Sequence, residues 1–590
     1  MCGISGAVVN AQALQIALTI SASLERRGYD NAGCAVQTDG EYQLVKTVGA
    51  TTELRPLAAN LTDGNVAIGH TRWATTGAVV QQNVHPFKIG PVVGAGNGDI
   101  TNFSTLKAEL RYANDLLTSE VDTEVGIAVI AEMYDDVEHP DPGMRLLEAV
   151  RRALPRLQGS FALVDGFDGF VVARHGVNTA YIGVLPDSQG FALSSDVESL
   201  LSFTLQYVSV ENEDIVLVTQ QQVRFVDGDE LVERTVQTSA FDADSVSMGD
   251  FSSFLEKEIY EQPACLRQLV SVGIPVCPDF RRIRNAVILA CGSARYASKV
   301  GEFLLKEAGF DARVVVASEF KSWPQIGDEQ TMVIAVSQSG TTADVLEAVD
   351  AAHEQGFGPL VVITNTPSSP LATKADLVLP ILSGPEISVA STKAVLSMVG
   401  VFALLVRCLN PEQPIRLREA AQLVETMLQN QTLQAQCNSV ARHLAGTVNR
   451  PPMLVLGQGI GHIAAREAAL KVKELTALPT ESFPARELKH GPIAMITAGT
   501  PVLFCAVNLT EDTVVQQVKS RGAFTIGVVE TGSVIAEAFD LVIEVPQAAT
   551  PLEAFMANLV PLQLVALELA LLLGKNVDRP ANLAKSATTK

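Results

Sequence analysis

The second half of this chain is written twice. Val287-Ile-Leu-Ala-Cys-Gly292-Ser293 is an apolar run closed by a small-residue turn that opens a helix, and Met453-Leu-Val-Leu-Gly457-Gln458-Gly459 repeats it. Further on, Val361-Val-Ile-Thr-Asn365 followed by Ala375-Asp-Leu-Val-Leu379 is answered by Thr525-Ile-Gly-Val-Val529 followed by Phe539-Asp-Leu-Val-Ile543. Unbroken apolar strands that alternate with long helices must be buried on both faces, which predicts parallel sheets covered by helices. The second half therefore reads as a duplication of one doubly wound parallel α/β unit. Its first copy is placed at residues 251–425, its second at 426–575, and a tail at 576–590.

Residues 1–235 carry a different pattern. Short apolar or alternating runs (Ala7-Val8-Val9, Val66-Ala67-Ile68, Val92-Val93, Phe161 to Val164, Phe170 to Ala173, Ile215 to Val218) are separated by Gly and Asp turns, which predicts antiparallel strands in layers. Helical spacing is found over Ala11–Glu25 and Glu120–Met133, so the expected fold is an α+β sandwich. The small, polar, aperiodic stretch 236–250 reads as a linker.

Composition limits what such a chain does. At 590 residues the length prior is about three to four domains, and 47% hydrophobic content with only 5% aromatics suits α/β packing of small residues. The net charge of −22 opposes a nucleic-acid or anionic-membrane partner, and no basic patch offsets it. Eight cysteines without zinc-type spacing suggest a reduced, cytoplasmic protein with no metal site. No secretory leader is read at the start. The run Leu552–Gly574 is interrupted by Glu553, Pro561, Gln563 and Glu568 and is expected to be a buried or interface helix, not a membrane span. Neither a lysine-anchored phosphate loop nor a dinucleotide fingerprint is found, so no cofactor is expected.

Catalytic chemistry is suggested first by Met1-Cys2-Gly3. Loss of Met1 would leave a cysteine with a free α-amino group, which titrates at about 7.7–8.0 and can take and return the thiol proton. Three segments accompany it: Leu24-Glu-Arg-Arg27-Gly28-Tyr29-Asp30-Asn-Ala-Gly33, Gly69-His70-Thr71-Arg72-Trp73-Ala74-Thr75 and Gly96-Asn97-Gly98-Asp99, followed by Asp122. Separately, Arg72 also reads as a salt-bridge partner, Asn97-Gly98 as a hairpin turn and Trp73 as a core residue. Together and in this order they resemble the glutaminase domain of class II glutamine amidotransferases. That resemblance implies Cys2 as nucleophile, the Asn97 side chain and Gly98 N–H as the oxyanion hole, Arg72 and Asp122 as holders of the glutamine carboxylate and ammonium, and Trp73 as a gate for ammonia. The family commonly has His where this chain has Gly96.

In the second half, the strand Met332–Val336 runs into Ser337-Gln338-Ser339-Gly340-Thr341-Thr342 ahead of a helix, a hydroxyl-rich turn suited to an anion and equally to helix capping. With Cys291-Gly292-Ser293 and Val389-Ala390-Ser391-Thr392-Lys393 it resembles the sugar-phosphate site of sugar isomerase domains, which implies binding by Ser293, Ser337, Gln338, Ser339, Thr342, Val389 and Ser391. The segments Leu470-Lys471-Val-Lys473-Glu474, Glu487-Leu-Lys489-His490-Gly491-Pro492 and Asn582-Leu-Ala584-Lys585-Ser586 extend the match. The whole chain, in order, resembles the isomerising glutamine:fructose-6-phosphate amidotransferases. The resemblance implies conversion of fructose 6-phosphate and L-glutamine to glucosamine 6-phosphate and L-glutamate. Lys585 would form a Schiff base, Glu474 would move the proton between carbons, His490 would assist ring opening from a neighbouring subunit of a homodimer, and Ala584 would line the sugar site. Two departures, Ala294 for the usual Ser and Thr341 for the usual Glu, bear on the sugar. They leave open a paralogue acting on another sugar phosphate, or on an aminosugar or glycated amine. A phosphosugar-binding regulator is the reading that Glu474, His490 and Lys585 argue against.

Overall fold

The computed structural model describes residues 2–111, 116–227, 230–239, 241–274, 283–322, 327–413, 416–447 and 452–585, so Met1, Cys277 and Ser586 lie outside the described residues. Its contacts divide the chain into two units, Met1–Ser247 together with Ala584–Lys590, and Met248–Leu583.

The first unit is built on two antiparallel sheets. In the eight-stranded sheet Gly3–Val9 lies between Gly190–Ser194 and Val66–Arg72, and in the seven-stranded sheet Val92–Ile100 pairs with Gly159–Phe167. Ile4, Val8 and Ile68 from one sheet meet Phe170, Val172 and Val216 from the other in a dry inner layer. The outer faces are closed by helices. Ala13–Leu24 buries Ala17, Leu18 and Ile20 against the first sheet, and Asp122–Asp135 with Pro142–Ala153 covers the second. This is the layered α+β sandwich expected from the strand pattern. The helix Pro142–Ala153 was not anticipated, although Asp141, whose carboxylate accepts from the Gly143 and Met144 N–H groups, followed by Pro142 is a complete start signal.

The second unit contains two five-stranded, wholly parallel sheets. In the first copy the order is Asp311–Val316, Asn285–Ala290, Thr331–Val336, Leu360–Thr364, Leu377–Pro380. In the second it is Thr480–Pro484, Met453–Gly457, Pro501–Cys505, Phe524–Glu530, Leu541–Val545. Both follow the order 2-1-3-4-5 by strand number within the copy, which places a topological switch point between the first and third strands. One continuous apolar cluster serves both copies. The helix Pro551–Leu572 is long and apolar enough to cross a membrane by length and composition, but 83% of its most apolar window is buried against protein, as expected of a core helix. Gln563 and Asn558 lie among its buried residues.

The stretch expected as a plain linker holds a short strand, Gln237–Thr238, and a 3-10 turn, Asp244–Val246. The cysteines are not all reduced: Cys408 is disulfide-bonded, whereas Cys2, Cys34, Cys265, Cys291, Cys437 and Cys505 are free.

Candidate active site

Cys2 stands at the head of the strand Gly3–Val9, half-buried. Its Sγ lies 3.4 Å from the Trp73 N–H and 3.5 Å from the Trp73 carbonyl, which brings it beside the end of Val66–Arg72. Arg27 Nε donates to the Cys2 carbonyl at 3.1 Å, and its Nη1 to the Ser195 carbonyl at 3.0 Å, which ties the terminal strand to its neighbour. Burial pushes the thiol pKa up, while Arg72 among the nearby charges draws it down. Trp73 packs edge-on against Tyr29 with ring centroids 5.5 Å apart.

Asn97 sits on Val92–Ile100, buried, with both its Oδ1 and its Nδ2 lacking a hydrogen-bond partner among the described residues. Buried amides are seldom left so, because each unmade bond costs free energy; an unsatisfied donor at this point is what a developing oxyanion would fill. The next residue, Gly98, has φ of +103°, and any Cβ there would overlap the Ser160 carbonyl on the paired strand. Only glycine fits, and only that backbone presents its N–H next to Asn97.

Asp122 opens the helix Asp122–Asp135 and accepts from the Ile100 N–H at 2.6 Å. Burial is the main reason its pKa rises to about 6, with the neighbouring Asp99 adding to the rise. Arg72 is buried and already engaged, its Nη1 donating to Asn31 Oδ1 at 3.0 Å and to the Ala78 carbonyl at 3.2 Å. Its guanidinium therefore organises the loop 76–78 as well as adding positive charge beside Cys2.

The departure at Gly96 has a structural reason. A Cβ there would lie 2.6 Å from Leu163 Cδ2 and 2.8 Å from Thr123 Cγ2, so a side chain enters only if these two give way. Support for the peptide comes instead from two stacked imidazoles, His70 and His85, with centroids 4.0 Å apart. His70 Nε2 meets the Gly96 carbonyl at 3.0 Å and His85 Nδ1 accepts from the Gly96 N–H at 3.3 Å. Burial lowers the His70 pKa to about 3 and that of His85 well below its ordinary value, so both rings are neutral. The hydrogen bonds fix their tautomers: His70 donates from Nε2 and His85 accepts at Nδ1.

In the second unit the hydroxyl turn follows Thr331–Val336. Ser337 Oγ pairs with Thr342 Oγ1 at 2.8 Å and accepts from the Gly340 N–H at 3.1 Å, while Thr341 Oγ1 donates to Ser339 Oγ at 2.9 Å. Thr341, the second departure, is thus built into the turn. Gln338 holds the turn to the next strand through its carbonyl, which accepts from the Asn365 N–H at 3.0 Å. Ser391 donates to Glu386 Oε2 at 2.9 Å, and the Val389 N–H donates to the Asp578 carbonyl at 3.0 Å.

Glu474 and Ser293 converge on one ammonium. Lys471 Nζ, on the helix Ile460–Thr476, donates to Ser293 Oγ at 3.0 Å and to Glu474 Oε2 at 2.5 Å, and lies 3.3 Å from Glu467 Oε1. Lys471 is 1% exposed and Glu467 0%. Burial raises the Glu467 pKa to about 7 against the pull of Lys471. Burial opposes the charge on Lys471, but the two carboxylates hold its pKa above the ordinary lysine value. The ion pair allowed by the three-residue spacing is therefore present, and it belongs to a larger cluster.

His490 closes the 3-10 helix Ala485–His490, exposed and without a side-chain partner among the described residues. Ala584 and Lys585 group with the first unit, where the Lys585 N–H donates to the Arg26 carbonyl at 3.1 Å.

Comparisons with known proteins cover the entire chain. The SIS domain family matches residues 279–407 and 449–573, the two parallel-sheet copies. The chain is 36% identical to glutamine–fructose-6-phosphate aminotransferase (isomerizing) of Thermus thermophilus and 34% identical to that of Corynebacterium efficiens, covering 100% of both chains in each case. It belongs to the isomerizing glutamine–fructose-6-phosphate aminotransferase family. A solved C-terminal domain of glucosamine-fructose-6-phosphate aminotransferase from Francisella tularensis superposes with a TM-score of 0.51 at 25% identity, covering 57% of this chain and all of that one.

Within this isomerizing aminotransferase several site neighbours escape sequence reasoning. Arg27 and the His70–His85 pair act through backbone carbonyls and amides, and motif spacing carries no signal for such contacts. Glu467 and Lys471 were legible in part, since Glu467, Lys471 and Glu474 recur at four and three residues and so share one helix face.

Proposed function

We propose that this chain transfers the amide nitrogen of L-glutamine to fructose 6-phosphate and isomerises the product, giving glucosamine 6-phosphate and L-glutamate. Membership of the family over the full length carries the reading: its relatives bear that name from end to end, so both half-reactions belong to one chain.

In the first unit, removal of Met1 exposes the Cys2 α-amine, which takes the thiol proton. The thiolate adds to the glutamine side-chain carbonyl, and the oxyanion is met by Asn97 Nδ2 and the Gly98 N–H. Collapse breaks the C–N bond and ammonia leaves with the returned proton. Water then hydrolyses the γ-glutamyl thioester through the same oxyanion hole. Asp122 holds the substrate ammonium and Arg72 its carboxylate, one charge for each. Trp73, backed by Tyr29, gates the departure of ammonia.

In the second half-reaction, the Ser337–Thr342 turn, with Ser293, Val389 and Ser391, holds the sugar phosphate. His490 assists ring opening. Lys585 condenses with the C2 ketone with loss of water, and ammonia displaces it to give the C2 imine. Glu474 then carries a proton from C1 to C2, and ring closure yields the aminoaldose. Lys471 holds the Glu474 carboxylate in place for the abstraction. His490, exposed and without a side-chain partner among the described residues, supports a homodimer in which it serves the neighbouring subunit, with Ala584 lining the same site, and the setting is cytoplasmic.

The test is to incubate the full chain with glutamine and fructose 6-phosphate and to follow glutamate and glucosamine 6-phosphate together. Equal formation of the two is expected. Glutamate released with no aminosugar would overturn the assignment of the sugar.

A further inference from the structure

The duplication leaves the second copy with a crevice that the proposed reaction does not use. It lies at the switch point between Met453–Gly457 and Pro501–Cys505, past the carboxyl ends of the strands, where doubly wound sheets take their ligands. A cavity of about 530 Å³ occupies it, within the range of small-molecule sites. Its walls include Gln458, Arg486, Lys489, Asn508 and Thr510.

Two comparisons with the first copy give the cavity a chemistry. In the turn after the first strand each copy has a glycine at positive φ, Gly292 at +52° and Gly459 at +55°, and at neither would a Cβ meet any atom within 4 Å. The crevice has thus been kept open in the second copy. Its side chains have changed: the turn after the third strand, which carries the hydroxyls of Ser337, Ser339 and Thr342 in the first copy, carries Asn508 and Thr510 in the second, and two cations come from the 3-10 helix Ala485–His490 that follows the second strand. Lys489 makes no ion pair among the described residues. Among the described residues Arg486 pairs only with Glu511, at 2.9 Å, and with both side chains 61% exposed this contact is weak enough for a phosphate to displace. Gln458, Asn508 and Thr510 add uncharged donors and acceptors of the kind that meet sugar hydroxyls.

We infer that the second copy holds a second sugar-phosphate site, with the phosphate on Arg486 and Lys489 and the sugar toward Gln458, Asn508 and Thr510. The inference rests on the proposed function only in taking the first copy as the substrate site.

Equilibrium dialysis of radiolabelled fructose 6-phosphate against the full chain tests it. Two equivalents per chain are expected. Arg486→Ala should weaken one of them by about tenfold or more, with the glutaminase rate unchanged, and Ser339→Ala should weaken only the other. A single equivalent, lost with Ser339→Ala and indifferent to Arg486→Ala, overturns the second site and leaves the substrate site standing. An equivalent sensitive to Arg486→Ala alongside none sensitive to Ser339→Ala overturns the substrate assignment instead. Displacement of the Arg486-dependent equivalent by inorganic phosphate at equal concentration overturns the sugar half of the proposal, because the crevice would then recognise only the anion.

Discussion

The proposed glutamine site is carried on paired strands, whereas the proposed sugar site stands on turns and helix faces beyond strand ends. At the first, Asn97 and Gly98 are held by the ladder to Gly159–Phe167, Gly96 has no room for a Cβ, and the supporting contacts run to backbone atoms. At the second, Ser337, Ser339, Thr341 and Thr342 hold one another by hydroxyl bonds, and Lys471 joins Ser293 to Glu474. Backbone-built sites are preorganised and intolerant of added volume, while side-chain networks accept exchange of one member if the rest stay satisfied. The departure at position 96 accordingly sits in a tightly packed strand, and Thr341 is bound within its turn through Ser339.

Five substitutions or titrations would break or sharpen the contrast. The largest effect is expected at the one point where the sugar site is rigid: Lys471→Met leaves Glu467 and Glu474 without their shared cation and should cost about 3–5 kcal/mol in denaturant unfolding of the second unit, with glutaminase activity kept. A loss below about 1 kcal/mol would mean that water reaches the cluster. Next comes Asn97→Ala, for which glutaminase kcat should fall about 10²–10³-fold while synthesis driven by added ammonium salt persists. Equal loss of both activities would refute the oxyanion role.

His85→Phe keeps an aromatic ring in the stack but removes the acceptor for the buried Gly96 N–H. A cost of about 1–3 kcal/mol is expected, read as a fall in glutaminase kcat with KM for glutamine little changed. Wild-type kinetics in that variant would show that the clamp does not position Asn97. With Asp122 as the proposed holder of the substrate ammonium, its carboxylate form is required, and its pKa is raised to about 6; kcat/KM for glutamine should therefore hold above that pH and drop about tenfold per unit below it. The ammonia-driven reaction should lack this limb, and a glutaminase profile flat down to pH 5 would exclude Asp122 as the holder. The smallest change is Thr341→Ala, which removes one hydroxyl from an adjustable turn and should cost about 0.5–1.5 kcal/mol, seen as a rise in KM for fructose 6-phosphate. Loss of all activity would show that this turn is as rigid as the oxyanion hole.

Much of the fold is written in the order of residues. The duplicated runs Val287–Ser293 and Met453–Gly459 form the first strands of the two parallel sheets and the turns after them, and the helices expected over Ala11–Glu25 and Glu120–Met133 form at Ala13–Leu24 and Asp122–Asp135. These signals are local, a period of apolar residues closed by a turn, so they survive without tertiary context. Pro142–Ala153 shows the opposite failing, since its Asp-Pro start was legible but is easily passed over among strands. Of the sites, the Ser337–Thr342 turn could be named from its motif, whereas Asn97-Gly98, which also reads as a hairpin turn, lies inside the strand Val92–Ile100.

What the sequence could not contain is which distant groups meet. That Gly96 is gripped by His70 and His85, that Arg27 holds the Cys2 carbonyl, and that Ser293 shares an ammonium with a helix some 180 residues away are outcomes of packing, in which groups far apart in the chain are desolvated together and must satisfy one another. The sequence by itself determined the two kinds of sheet, the duplication and the chemical types at the sites, because these follow from periodicity and side-chain inventory. The tertiary structure alone decided protonation, the room around each glycine and the open crevice of the second copy, because those depend on what fills the space around a residue.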